Sequence, residues 1–265
     1  MLWSSFTEKD GWPLTTETYV QQIVSMLEPH RNEVNAVPMQ AYMKDQFPFL
    51  GIRTPERRRL TRQIFNDIGI PDANDLRAVI LRLWDMPQRE YQYVSLSILD
   101  KFKTRFSVYH IELLEYTISH KSWWDTVDDI ASHLVGHYFT LFPEQMTTYL
   151  AKWLSANNMW LQRTAILCQL GWKGRTNENI LYDTIEKCSR SKEFFIRKAI
   201  GWALREYSKT NPSSVRAYVE SHPELSGLSR REALKVIERS IDSPGTESSD
   251  DDPWGTPHVR QIVPK

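Results

Sequence analysis

The chain has 265 residues, enough for one large hydrophobic core or two modest ones. Its 33 basic side chains balance its 33 acidic ones, so net charge alone does not indicate a nucleic-acid partner. No stretch approaches the roughly 18 consecutive apolar residues of a membrane-spanning helix, and the first residues lack a secretory leader pattern. These features exclude a membrane partner and predict a cytoplasmic protein.

Apolar residues recur with helical spacing along nearly the whole chain, and no segment alternates convincingly with period two. Proline, glycine and asparagine residues separate the helical segments. In chain order, the spacing predicts helices over 16–28, 36–46, 55–67, 73–84, 88–103, 109–119, 123–139, 143–155, 158–171, 176–188, 192–208, 211–220 and 228–241. Short helices joined by short turns predict an all-α fold.

Three of the predicted helices begin with an aromatic residue, at Trp124, Trp160 and Phe194. These positions are 36 and 34 residues apart, and each is followed six positions later by an isoleucine. A repeat of this length, with two helices per unit, is typical of HEAT-like α-solenoids. The sequence therefore predicts a stack of helix pairs whose inner helices line a concave face.

The predicted domains follow from where this pattern starts and stops. Residues 16–242 form the repeat domain, 1–15 an N-terminal extension and 243–265 an acidic tail. The tail is rich in serine, glycine, proline and aspartate, so it cannot bury enough apolar area to order itself. We expect it to be disordered.

Basic residues are concentrated in two segments. Residues 187–216 hold eight lysines and arginines against two glutamates, and residues 53–62 hold five arginines. Segregated basic segments in a neutral chain can follow a phosphate backbone. The plain alternative is a pair of solvated helix faces.

The segment KSWWDTVD, at 121–128, places Trp124 and Asp128 one helical turn apart on the same face. An aromatic ring beside a carboxylate suits a flat, cationic ligand. The plain alternative is a core aromatic beside a helix cap. Asp125 and Asp129 compete with Asp128 for a catalytic role, but Asp125 lies where a helix cap is expected and Asp129 points away from Trp124.

Equivalent positions on successive inner helices of a stack become neighbours in space. Asp128 should therefore lie near Arg163, and Trp202 and Arg205 should share a face of the next helix. Two indoles, one carboxylate and a rim of arginines then line one groove. Arginine grips phosphates bidentately, and indoles pack against sugars and bases.

Two other residue types bear on metal and redox chemistry. His133 and His137 have a spacing that could bind zinc, but no HExxH glutamate or third ligand accompanies them, so no metal site is predicted. Cys168 and Cys188 lie in helical patterns without a second pair, and we expect both to be reduced and buried.

Four segments, TPERRRL, KSWWDTVD, WLQR and SKEFFIRKAIGWALREYSKTNP, resemble the AlkD family of bacterial alkylpurine DNA glycosylases, which are HEAT-like-repeat DNA alkylation repair enzymes. The resemblance covers roughly residues 20 to 240. It implies a monofunctional hydrolase, without a cofactor, that cleaves the N-glycosidic bond of cationic N3- and N7-alkylated purines such as 3-methyladenine and 7-methylguanine. The concave face would then bind DNA.

The resemblance also assigns roles to individual residues. It implies that Asp128 is the catalytic carboxylate and that Trp124 and Trp202 are the tryptophans of the groove. The expected DNA-binding residues are Tyr42, Arg163, Arg205, Phe194, Arg197 and Lys198. The expected partner is duplex DNA containing alkylated purines, bound by a monomer in the cytoplasm, at the nucleoid.

The chemistry explains why one carboxylate suffices. An N3- or N7-alkylated purine is already cationic and leaves without the general acid that ordinary glycoside hydrolysis needs. As the bond breaks, Asp128 would stabilise the oxocarbenium-like sugar and orient a water toward it. Nothing in the sequence suggests a pocket for a flipped base, so recognition is expected to leave the lesion largely exposed.

Two other classes of protein fit parts of the pattern. A noncatalytic HEAT-like scaffold that binds DNA or another protein would share the repeat and the basic groove, but would not need an accessible carboxylate at Asp128. An RNA-binding helical-repeat protein would need a modular series of base-reading side chains. Trp124, Asp128, Arg163 and Trp202 do not form such a series.

Overall fold

The computed structural model describes residues 15–242, and every regular element in this range is helical. The all-α prediction is therefore confirmed for these residues. The predicted N-terminal extension, apart from Thr15, and the predicted tail over 243–265 lie outside the described residues. Between residues 15 and 242, no helix is both long and apolar enough to cross a membrane.

The α-helices are numbered in chain order. They are α1 (Thr16–Leu27), α2 (Glu33–Tyr42), α3 (Thr54–Ile68), α4 (Ala73–Asp85), α5 (Arg89–Phe102), α6 (His110–Ser119), α7 (Trp124–Asp129), α8 (Gly136–Leu141), α9 (Pro143–Ser155), α10 (Met159–Leu167), α11 (Glu178–Cys188), α12 (Phe194–Ser208), α13 (Pro212–Ser221) and α14 (Gly227–Asp242). A π-helical segment, Ile130–Val135, joins α7 to α8.

The bounds of α2 differ from the predicted helix over 36–46. The helix begins earlier because the Asn32 side chain accepts a hydrogen bond from the amide of Asn35, at 3.0 Å, and so caps its first turn. It ends earlier because Lys44 and Asp45 have positive φ angles, 56° and 55°, which an α-helix cannot continue.

The predicted helix over 123–139 is interrupted at its centre by the π-helical segment and extends to Leu141. This segment follows Asp128 and Asp129 directly, and π-helical turns are frequent at functional sites. Gly136 starts the next α-helix at a close approach, because a Cβ there would lie 2.6 Å from the carbonyl oxygen of Cys168. No larger residue fits at this contact without a shift.

Contacts divide the chain into two compact units, the first ending at Phe102 and the second beginning at Lys103. In the first unit, α1 packs on α3 and α4, and α5 packs on both of these. The fully buried Glu90 accepts hydrogen bonds from the amides of Leu50, Gly51 and Ile52, at 2.8–3.1 Å. One carboxylate thus fixes the loop that follows α2.

The second unit shows the layering expected of a helix-pair repeat. Helix α10 packs on α7 and the π-helical segment, α12 packs on α10, and α14 packs on α12, while α9, α11 and α13 lie against these helices. The three repeated isoleucines, Ile130, Ile166 and Ile200, are at most 1% exposed and belong to the core. The repeat in the sequence is therefore a repeat of core positions.

Two tryptophans and both cysteines belong to the core. Trp84 and Trp153 are fully buried, whereas Trp172 is only half-buried. Cys168 and Cys188 are both buried, as predicted, and no disulfide joins them. Burial raises the pKa of each thiol, to about 12 for Cys168 and to about 11 for Cys188, so neither is a reactive thiolate.

Candidate active site

Asp128 and Arg163 form a bidentate ion pair between α7 and α10. The Arg163 guanidinium donates from Nε to Oδ1 of Asp128 at 2.7 Å and from Nη2 to Oδ2 at 2.8 Å. The predicted proximity of these two residues is confirmed. Paired charge-assisted bonds of this kind fix the orientation of a carboxylate as well as its position.

Arg163 is enclosed by its partners. Its side chain is only 4% exposed, and Nη1 donates a third hydrogen bond to the backbone carbonyl of Phe195 on α12. The guanidinium also lies 5.8 Å from the centre of the Phe195 ring. In this structure Arg163 therefore positions Asp128 and links three helices; its contact with a DNA phosphate stays a prediction.

Three aromatic rings lie beside this ion pair. Trp123, Trp160 and Phe195 are in mutual contact, with ring centres 5.1–5.7 Å apart. The sequence pattern did not distinguish Phe195, and Trp123, which the predicted helix over 123–139 includes, is the extended residue before α7. The adjacent aromatics of the pairs 123–124 and 194–195 were the available signal.

Opposing influences act on the ionisation of Asp128. Burial is the largest and raises its pKa, and the negative charges of Asp125 and Asp129 act in the same direction. The charge and the hydrogen bonds of Arg163 lower the pKa but only partly offset this rise. The Asp128 side chain as a whole remains 14% exposed.

The two competing carboxylates occupy different settings. Asp129 pairs with His133, whose Nδ1 lies 2.7 Å from Oδ1, and its side chain is 41% exposed. Asp125 lies in the first turn of α7, where its negative charge interacts favourably with the positive end of the helix dipole. Asp128 differs from Asp129 in that an arginine binds both of its oxygens.

The two expected tryptophans lie on helices that flank this ion pair. Trp124 is the first residue of α7 and half-buried, one turn before Asp128. Trp202 is half-buried on α12 and packs against the core of the second unit. It lies two turns beyond Phe195 on the same helix face, about 10 Å along the axis.

The cations predicted on α12 are paired with a carboxylate that sequence analysis missed. Glu232 on α14 accepts from Lys198 at 2.7 Å and from Arg205 at 2.9 Å. Burial raises the pKa of Glu232, but the hydrogen bond from Lys198 and the charges of Lys198, Arg205 and Lys235 outweigh it and leave the pKa below its ordinary value. The lysine and the arginine are thereby held in fixed positions.

The remaining predicted residues lie as follows. Phe194 packs edge-on against Phe195, with ring centres 5.4 Å apart. Arg197 is half-buried and donates from Nε to the carbonyl of Ser191 at 2.8 Å. Tyr42 is the last residue of α2 in the first unit and is half-buried.

The chemical groups at this site suit an ionic reaction. A held carboxylate with a residual water-accessible surface can stabilise a developing positive charge or orient a water. Among residues 15–242, no group of three or more histidines, cysteines, aspartates or glutamates could hold a metal ion.

The fold is a series of packed helix pairs, with the Asp128 carboxylate held between two of them. Comparison with known protein families shows to which class such a protein belongs. The family model described as "DNA alkylation repair enzyme" matches residues 23–237. The chain belongs to this family of DNA repair proteins, and the resemblance noted in the sequence is confirmed.

Solved structures extend this finding. The chain is similar to a "Predicted DNA alkylation repair enzyme from Enterococcus faecalis", with 36% identity over 78% of this chain and 96% of that one and a TM-score of 0.73. AlkD2 from Streptococcus mutans shares the fold at 15% identity, over 84% of this chain and all of that one, with a TM-score of 0.57. No curated protein matches the chain in sequence.

Proposed function

We propose that this protein is a monofunctional DNA glycosylase that removes cationic N3- and N7-alkylated purines, including 3-methyladenine and 7-methylguanine, from duplex DNA. The observation that carries the proposal is the setting of Asp128. Its two oxygens are fixed by Arg163 at 2.7 and 2.8 Å, and its side chain keeps 14% of its surface exposed.

The reaction requires little else from the protein. The alkylated base leaves as a neutral purine, because its positive charge moves to the deoxyribose as the glycosidic bond breaks. Asp128 stabilises that sugar cation and orients the water that attacks it, and the proton of this water passes to solvent. No acid for the leaving group and no cofactor takes part.

The tryptophans act on the same charge. In this proposal the ring faces of Trp124 and Trp202 lie against the deoxyribose and favour its cationic form, by about 0.5–2 kcal/mol each. Tyr42, Phe194, Arg163, Arg197, Lys198 and Arg205 contact the DNA around the lesion. The lesion itself stays largely exposed, so selectivity depends on its charge and on the lability of its bond.

The held carboxylate also explains why a binding scaffold is the weaker interpretation. Burial of the Asp128 charge is unfavourable and raises its pKa, and a scaffold would gain no binding from that burial.

The protein is further proposed to act as a monomer, at the nucleoid in the cytoplasm.

The experiment is the release of free base from methylated duplex DNA by the purified protein, in the presence of a metal chelator. Chromatography should detect free 3-methyladenine and 7-methylguanine, together with intact abasic strands. The absence of strand breaks before alkaline treatment would establish a monofunctional hydrolase. If the protein bound the DNA but released no base, the scaffold would replace the enzyme.

A further inference from the structure

A hollow of about 220 Å³ lies between α12 and α14, outside the Asp128 site. Arg205 and Lys209 line it from α12, and Lys235 and Arg239 line it from α14. Trp202 forms part of its wall. Trp202 and Arg205 were expected at the DNA-binding face, whereas no sequence pattern pointed to the cations of α14.

The helical register directs these side chains to one place. On α12, Trp202, Arg205 and Lys209 follow one another at steps of three and four residues, and on α14 Lys235 and Arg239 are four residues apart. Residues at these steps share a helix face. Two cationic rows therefore meet across the gap between the two helices.

Positive charge is in excess around this hollow. Four cations line it against one acidic residue in its walls, Glu206, and Glu232 beside it partly offsets the charges of Arg205 and Lys235. Like charges four residues apart on a helix repel one another, and so do like charges that face each other across a hollow. The remaining excess of positive charge favours the binding of an anion.

Half of the cations are fixed in advance, and half are available. Glu232 holds Arg205 at 2.9 Å, and Glu206 lies 3.0 Å from Lys209. Lys235 and Arg239 are exposed, and neither forms an ion pair with any residue between positions 15 and 242. The hollow thus combines two cations that are already held in position with two cations that are available to pair with an anion.

We propose that this hollow binds a backbone phosphate of duplex DNA. The inference rests on the proposed function, because it takes DNA as the ligand. Arginine forks bind phosphate oxygens bidentately, and a hollow of about 220 Å³ is large enough for a phosphate with ordered waters. Since Trp202 borders both this hollow and the proposed sugar site, the phosphate belongs to the damaged strand within a nucleotide or two of the lesion.

The variant K235Q/R239Q tests the hollow without touching the proposed catalytic groups. The control is K187Q/R216Q, which also removes one lysine and one arginine, from α11 and α13, where both are exposed and outside the hollow. Binding to undamaged duplex DNA is measured over a range of salt concentrations. The slope of log K against log salt should become shallower by about 1–2 for K235Q/R239Q. It should not change for the control.

A duplex that carries one tetrahydrofuran abasic-site analogue, which gives the bound protein a fixed position, and single neutral methylphosphonates in place of phosphates locates the contact. Wild-type protein should lose on the order of tenfold in affinity at one or two positions on one strand. For K235Q/R239Q, a methylphosphonate at those positions should cause no further loss of affinity. K187Q/R216Q should lose affinity at the same positions as wild type. If every methylphosphonate weakened wild type and K235Q/R239Q equally, the hollow would not hold a phosphate.

The outcome is separable from that of the proposed function. Base release is measured on methylated DNA, whereas the salt slope uses undamaged DNA and the methylphosphonate scan uses the abasic-site analogue, so neither of these needs base release. If the protein releases no base, but methylphosphonates weaken wild type and not K235Q/R239Q at the same positions, the phosphate site is supported and the glycosylase is refuted. If the protein releases base, but the slope of log K against log salt is the same in K235Q/R239Q as in wild type, the glycosylase is supported and the phosphate site is refuted.

Discussion

Arg163 holds both carboxylate oxygens of Asp128 from the next inner helix, 35 residues along the chain. Its third hydrogen bond, to the carbonyl of Phe195, ties the same guanidinium to α12. One side chain thus sets the position of Asp128 relative to two other helices. A carboxylate placed in this way needs little reorganisation when charge develops in front of it.

Replacing Arg163 with methionine should impair both stability and excision. The change leaves a partly buried carboxylate without its counter-charge, which should lower the free energy of unfolding by about 3–5 kcal/mol. The double variant D128N/R163M should recover much of that stability in urea titrations but no excision. If R163M released base at the wild-type rate, Arg163 would not position the carboxylate.

Excision should decline toward acidic pH with a midpoint above the ordinary aspartate pKa of about 3.9. Burial raises the pKa of Asp128, and only its ionised form can stabilise the sugar cation, so the rate is lost as pH falls through that raised value. Single-turnover rates on 7-methylguanine DNA give the midpoint. In R163K, which keeps a charge but loses the bidentate geometry, the midpoint should move further upward; a midpoint at or below about 3.9 in wild type would contradict this assignment.

Replacing Glu232 with glutamine should release the two cations on α12. Non-specific DNA affinity at low salt should rise several-fold, since a negative charge beside Lys198 and Arg205 is removed. Glu238 on the same helix is exposed and provides the matched control, E238Q, whose removal of one charge should have a smaller effect. Equal increases in the two variants would show only a general charge effect.

The same pair of variants tests the stability of the Glu232 cluster. The pKa of Glu232 is lowered in the folded protein, so its stabilisation is complete above the unfolded pKa and is lost as pH falls through the folded one. E232Q should therefore be less stable than wild type near neutral pH, by about 1–3 kcal/mol. The difference should shrink as pH falls below the ordinary glutamate pKa of about 4.3 and through the lowered pKa of the folded wild type. E238Q should follow wild type throughout.

Replacing Gly136 with alanine should destabilise the second unit, by about 1–3 kcal/mol. The new Cβ would lie 2.6 Å from the backbone oxygen of Cys168, a contact that only a helix shift relieves. A Cβ at Gly174 would meet no atom within 4 Å, so G174A serves as the control. Thermal unfolding should separate the two variants, and equal melting temperatures would mean that α8 and α10 can move apart freely.

The sequence predicted the parts of the site that depend on the repeat. Because equivalent positions of successive helix pairs stack, the proximity of Asp128 to Arg163 followed from a shift of about one repeat. The same pattern identified the buried isoleucines at Ile130, Ile166 and Ile200. Periodicity carries this information because it reflects which side of each helix faces the core.

Other parts depend on contacts that no local pattern records. The π-helical segment after Asp129 adds one residue to a turn, which apolar spacing cannot distinguish from an α-helix. The choice of Phe195 rather than Phe194 as the partner of Arg163 depends on the rotation of α12. Glu232 lies in a helix of ordinary charge pattern, and only the packing of α14 on α12 reveals its role.

The central claim is that the Asp128 carboxylate stabilises the deoxyribose cation that forms as the alkylated base leaves. The most direct test is single-turnover release of 7-methylguanine by D128N and D129N. The two variants remove neighbouring carboxylates from the same helix, and DNA affinity is measured for both. D128N should release the base about 10²–10³ times more slowly than wild type while binding DNA as well, and D129N should remain near wild type. Wild-type release by D128N would contradict the account.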